Sequence, residues 1–149
     1  MVATTTDHEL IRNCISRYCI GVDLRDWEIF SRAFTNNVKV SFPAPAESTE
    51  GIAALTSSVQ GMVGILQTQH ALSTQVIELT GERTAEATTY VSAVLSGVGK
   101  NEGKFVTSWG MYQDKLVKDL FEGREDWRIA ERIASSWLPL TGDLSLLSA

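Results

Sequence analysis

The chain has 149 residues, 44% of them hydrophobic and 21% charged, with a formal net charge of −5; that length suits one domain with its own core, and that composition is not that of a disordered chain. The negative balance, unbroken by any Lys/Arg cluster, excludes a phosphate backbone as a natural partner. No run reaches the length of a membrane-spanning helix, and Met1 to Glu9 is polar and acidic where a secretion signal is basic and then apolar, so a soluble, cytoplasmic protein is expected.

Thr6 followed by Glu9 has the spacing of a capping box. Leu10, Ile11, Cys14, Ile15, Tyr18, Cys19 and Val22 then fall on one helical face, which predicts a first helix ending near Gly21. Cys14 and Cys19 stand about 7.5 Å apart along such a helix and on different sides, so they suit neither a disulfide nor a zinc site and read as buried thiols. His8 reads as exposed. Asp26 is placed to cap a short second helix whose inner face is Trp27, Phe30, Ala33 and Phe34. Val38, Val40 and Phe42 alternate as a strand stopped by Pro43 and Pro45.

A third helix is predicted from Ile52, Leu55, Val59, Met62, Val63 and Leu66, loosened at its end by Gly61 and Gly64. The remainder is strand-like: Gln69 to Leu79, Thr84 to Leu95, Phe105 to Leu120 and Trp127 to Leu138 are rich in Val, Ile, Thr and aromatics. Turn signals at Gly81, Gly97 to Gly103 and Gly123 separate them. Helices followed by a meander of hairpins, without a βαβ rhythm, give an α+β domain with helices packed on one face of a sheet.

Within the last strand, Ile129, Glu131 and Ile133 share one side by period two, which places the Glu131 carboxyl among isoleucines. Such surroundings disfavour its charged form and suit a general acid. The competing reading is an ion pair with Arg128, Arg132 or a lysine of the adjacent strand. On the long strand before it, Trp109, Met111 and Gln113 share one parity and Tyr112 and Asp114 the other; if the odd positions line the pocket, Gln113 is a donor for a substrate oxygen. His70 on its apolar segment is, by residue type alone, more often structural than catalytic. Asp26 is the better helix cap, which leaves Asp23 free for another task.

Tyr18 to Trp27 (YCIGVDLRDW), Thr68 to Ser73 (TQHALS), Gly110 to Leu116 (GMYQDKL) and Trp127 to Arg132 (WRIAER) stand in the order typical of SnoaL-like proteins, and the resemblance runs from about Asp7 to Trp137. It implies the nuclear-transport-factor-2-like cone: one domain over 1–149, with N-terminal helices in the concave face of a strongly curved, mixed but mainly antiparallel sheet. Relatives with this fold include polyketide cyclases, dehydratases, dehydrochlorinases and isomerases. By resemblance, Asp23 and His70 match the aspartate and histidine of the dehydrochlorinase and dehydratase branches. Glu131 matches a pocket position that varies among relatives, and Tyr18 and Trp109 match pocket walls.

An aspartate that accepts from one imidazole nitrogen fixes the tautomer and leaves the other nitrogen as a base. No phosphate loop, dinucleotide fingerprint, nucleophile elbow or metal-spaced cluster is present in the sequence, so neither a cofactor nor a metal is expected, and a reaction would run on proton transfer. The expected function is a lyase or isomerase of secondary metabolism, acting on a small hydrophobic polycyclic substrate with His70 as base, Asp23 as its orienting partner and Glu131 as acid. Tyr18, Trp109, Met111 and Gln113 would bind the substrate. Two alternatives keep the fold: an epoxide hydrolase or cyclase with the same pocket, or a non-catalytic ligand-binding or dimerisation module. Three inward ionisable groups argue against the module, since burying them unpaired is costly. A homodimer packed sheet to sheet, with Tyr112 on the shared face, is the expected assembly.

Overall fold

A computed structural model describes residues 3–44 and 46–148. Helix α1 (Asp7–Leu24) opens with the expected capping box: Thr6 Oγ1 accepts from the Glu9 N–H at 3.2 Å, and Glu9 Oε2 accepts from the Thr6 N–H at 2.8 Å. It runs one turn past Gly21. That glycine does not stop the helix; it lets the next element approach, because a Cβ there would sit 2.5 Å from the Phe30 backbone nitrogen. The helix ends instead at Arg25, which takes the left-handed conformation with φ 56°.

Asp26 caps α2 (Trp27–Ser31) by accepting from the Ile29 N–H at 3.0 Å. The helix is a single turn, and Phe34 already belongs to strand β1 (Phe34–Ser41), where it stays buried. The strand ends at Ser41, one residue short of the expected Phe42; Pro43 lies beyond it as expected, and Pro45 lies outside the described residues. A two-residue strand, β2 (Thr49–Glu50), precedes helix α3 (Ile52–Val63), which stops at Gly64 short of the expected Leu66. Four long strands follow: β3 (Gln67–Leu79), β4 (Thr84–Ser96), β5 (Phe105–Phe121) and β6 (Arg124–Ser136). A short β7 (Thr141–Gly142), which the alternation of the sequence does not announce, pairs with Val106 and Thr107 of β5.

The sheet order is β2-β1-β6-β5-β4-β3, antiparallel throughout except for the parallel β1/β6 pair. The expected α+β architecture, helices against a curved and mainly antiparallel sheet, is therefore present. Its core is built from Ile11, Ile15 and Val22 of α1, Phe30, Phe34, Val38 and Val59, and Leu116, Trp127 and Ile129 of the sheet, all essentially without solvent contact. Trp127 is also tied polarly, its indole N–H donating to Asp7 at 2.9 Å. Cys14 and Cys19 are buried free thiols, and burial pushes each up to about 12.

Two features of the sheet decide which side chains point inward. Across β5 and β6, Lys115 faces Glu131 but the next residue, Leu116, faces Ile129, so Ala130 is an extra residue, a β-bulge. A bulge breaks strict alternation. Ile129 and Arg132 are both buried, whereas Glu131 and Ile133 turn outward. On β5 the inward positions are the even ones, with Tyr112, Asp114 and Leu116 all buried.

Candidate active site

Asp23 sits in the last turn of α1 and His70 near the start of β3, a strand packed along that helix. The two side chains meet: His70 Nδ1 lies 2.7 Å from Asp23 Oδ1, and the His70 backbone N–H donates to Oδ2 at 2.8 Å. Thr68, two residues before His70 and on the same side of β3, donates its hydroxyl to Oδ1 at 2.9 Å. One carboxylate thus clamps both the ring and the main chain of a single residue.

Burial works against charge on Asp23, yet the hydrogen bonds from the His70 ring, the His70 main chain and Thr68 outweigh it and hold the carboxyl below its ordinary value. An ionised carboxylate only accepts. Nδ1 must therefore carry a hydrogen, and in the neutral ring the lone pair then lies on Nε2. Nε2 has no hydrogen-bond partner among the described residues, and the ring forms part of a cavity wall.

That cavity holds about 430 Å³ between α1, α3 and the concave face of the sheet. Val22, Val59, Val63, Val91 and Leu95 give it an apolar lining, while Leu138, Pro139 and Leu140 from the chain after β6 border it. Polar groups are few: His70, Thr68, the phenols of Tyr18 and Tyr112, and Ser108, Ser135 and Ser136. This mixture, mostly apolar with a few convergent polar groups, is that of a small-molecule site.

Tyr18 and Tyr112 are held from behind. Arg132 stacks its guanidinium 3.9 Å from the Tyr112 ring centre and 4.7 Å from that of Tyr18. The same guanidinium makes a two-pronged pair with Asp114, at 2.7 and 2.9 Å, with both side chains out of solvent. Burial raises the Tyr112 phenol well above its usual value; it raises Tyr18 too, there partly offset by the Arg132 charge. Both stay protonated at neutral pH and can donate hydrogen bonds. The Tyr18 ring also meets the His70 ring edge to face at 5.8 Å.

The structure thus puts His70 and Tyr18 on one cavity wall, with Asp23 behind the His70 ring on its Nδ1 side, and Trp109 borders the cavity beside Ser108 and Gly110. It separates the others. Glu131 lies half-exposed on the outer face, 3.6 Å from Lys115, beside a polar hollow of about 400 Å³ that also takes in Lys39 and Glu86. The adjacent-strand ion pair is what the structure contains, because the bulge at Ala130 turns Glu131 away from the interior. Met111 and Gln113 are likewise outside the cavity wall, on the outer side of β5, and Tyr112, expected on the outer face, is inside. Thr68, Tyr112 and the serines are the cavity groups that alternation alone does not reveal; the Thr-x-His spacing on a strand is the signal that places Thr68 beside His70.

The SnoaL-like domain profile matches residues 3–133. No curated protein matches the chain. Among solved structures, a candidate scytalone dehydratase from Novosphingobium aromaticivorans superposes with a TM-score of 0.76 at 22% identity, over 90% of this chain and 85% of that one. The hexachlorocyclohexane dehydrochlorinase LinA-type3 from Novosphingobium barchaimii LL02 gives 0.74 at 14% identity, over 91% and 88%. A protein from Kribbella flavida gives 0.81 at 16% identity, over 96% and 97%. At these identities the likeness is one of fold.

Proposed function

The chain belongs to the SnoaL-like domain family, and we propose that it is an acid/base enzyme, a lyase or isomerase acting on a small, largely apolar cyclic substrate. One observation carries the reading: the His70 ring, tied through Nδ1 to Asp23 at 2.7 Å, presents Nε2 to an apolar cavity. A dehydratase-like and a dehydrochlorinase-like neighbour of the same fold accord with eliminations as the reaction class.

In this mechanism Nε2 takes a proton from a substrate carbon. The released C–H electron pair forms a double bond to the adjacent carbon, and the leaving group there departs with its bonding pair. In an isomerisation the imidazolium instead returns the proton at another carbon. Asp23 stays ionised and stabilises the imidazolium in between. The phenols of Tyr18 and Tyr112, rather than the outward-facing Glu131, supply hydrogen bonds to a substrate oxygen or to the departing group. The apolar walls exclude water and strengthen each of these contacts.

The test is proton exchange at carbon, which needs no knowledge of the product. Cyclic ketones, alcohols and halides of a size to fill the cavity are incubated with the protein in D₂O and followed by NMR. Wild type should catalyse exchange or elimination with one of them, and His70→Ala should reduce the rate by about 10²–10⁴ while remaining folded by circular dichroism. Equal rates for wild type and His70→Ala would remove His70 from the chemistry.

A further inference from the structure

We propose that Arg25, acting through Thr68, is a positioning residue for the Asp23–His70 pair; the proposal rests on the reading of that pair as the acid/base machinery. Arg25 is one of two non-glycine residues with positive φ among the described residues, at φ 56°, a conformation that costs an ordinary side chain free energy. Its guanidinium lies between α1 and β3. Nη1 donates to the Val22 carbonyl at 2.6 Å and to Thr68 Oγ1 at 3.0 Å, and Nη2 donates to the Leu66 carbonyl.

The direction of the hydrogen bond from Thr68 to Asp23 follows from Arg25. A guanidinium has donors and no acceptor. Thr68 Oγ1 therefore receives from Arg25, and its single proton is directed to Asp23 Oδ1. With Thr68 and the His70 main chain both donating to it, Asp23 is an acceptor toward the ring. The chain Arg25→Thr68→Asp23 then leaves one consistent arrangement for His70, with hydrogen on Nδ1 and the lone pair on Nε2. The same guanidinium bonds the carbonyls of Val22 and Leu66, next to Asp23 and next but one to Thr68, and so sets the distance between the two elements that carry the pair.

A merely structural role for Arg25, as the cap of α1 and a tie to β3, predicts a loss of stability and nothing else. The tautomer of His70 separates the two. It is read from ¹⁵N chemical shifts of the ring at about pH 8.5, above the ordinary imidazole range, and needs no substrate. Wild type should show the Nδ1–H form alone. Thr68→Val keeps the shape but removes the hydroxyl that holds Asp23 Oδ1 against the ring, leaving the carboxylate tied by the His70 main chain alone; the carboxylate should then leave Nδ1 in part of the population, and both tautomers should appear. Thr68→Ser restores the hydroxyl and should restore the single form. Arg25→Met should act in the same direction as Thr68→Val; because it also removes the cap, Thr68→Val is the variant that decides if Arg25→Met fails to fold.

Once a substrate is in hand, Thr68→Val should lower kcat by about 10–100-fold, the usual cost of an outer hydrogen-bond partner, with KM little changed. Thr68→Val with a folded chain and the Nδ1–H form alone would overturn the proposal. If the tautomer responds as expected but His70→Ala keeps full turnover, the relay stands and the function assigned to the pair is what fails.

Discussion

Glu131 faces Lys115 across β5 and β6, with the ammonium 3.6 Å from its carboxylate and both side chains at least half in solvent. Exposed pairs of this kind contribute between zero and about 1 kcal/mol, screened further by salt. Glu131→Gln should therefore leave turnover at wild-type level and change unfolding free energy by less than about 1 kcal/mol, as measured by urea denaturation. A hundred-fold loss of turnover in Glu131→Gln would restore the carboxylate to the chemistry.

Alternation along a strand reads correctly only while the strand is regular. The helices, hairpins and sheet of this chain are legible because a capping box, apolar periodicity and glycine turns act over a few residues; the box at Thr6, the Asp26 cap and the hairpin turns are present, whereas the ends of α1, α2 and α3 differ from the periodic reading by a few residues. The outer placement of Glu131 is not legible, because an extra residue at Ala130 has no signature in residue type. The inversion on β5 has another cause. Asp114 looks like a surface residue, and nothing local to it announces that Arg132, eighteen positions on, meets it inside the sheet. For the cavity, Asp23 and His70 stand in segments whose family pattern is recognisable, whereas the guanidinium of Arg25 reaches Thr68 from a left-handed turn at the end of α1 that its identity as arginine does not suggest.

The depressed carboxyl of Asp23 ties stability to pH. Folding lowers its proton affinity below the ordinary value of 3.8, so the unfolded chain binds the proton more readily. The resulting stabilisation is fully present above the unfolded value and is lost as pH falls through the folded one. Thermal unfolding followed between about pH 7 and pH 2.5 should show Tm falling at the acid end, and Asp23→Asn should lower Tm at neutral pH while flattening that acid limb. An acid limb of unchanged steepness in Asp23→Asn would show that other carboxylates govern it.

On the outer face of the sheet, Ile133 and Val76 are each more than half exposed, with Met111 of β5 near Ile133 and Trp137, 50% exposed, packed edge to face on Tyr90. Apolar area of this kind on a single protomer favours burial against another surface, and a two-fold axis would let the same face cover itself. Light scattering at micromolar concentration should give the mass of a dimer, and Ile133→Glu should give the mass of a folded monomer. A wild-type monomer at that concentration would remove the proposed dimer.

Arg132 and Asp114 form a buried pair whose value depends on both members being present. Burial disfavours charge on Arg132, and the Asp114 carboxylate more than offsets this and holds the guanidinium protonated. One guanidinium nitrogen, Nη1, is buried without a hydrogen-bond partner, so the pair carries a desolvation penalty that its two bonds and the stacked Tyr112 and Tyr18 rings must offset. Removing one partner leaves the other charge stranded. Arg132→Met and Asp114→Asn should each destabilise by about 3–5 kcal/mol in urea. The double variant Arg132→Met/Asp114→Leu, which buries no charge, should recover most of that loss, though without the cation behind the two phenols. Its turnover then separates support of the fold from support of the cavity: if the double variant is stable yet slow, the guanidinium serves the site by holding Tyr18 and Tyr112 in place, and if it is both stable and fully active, the pair serves the core alone.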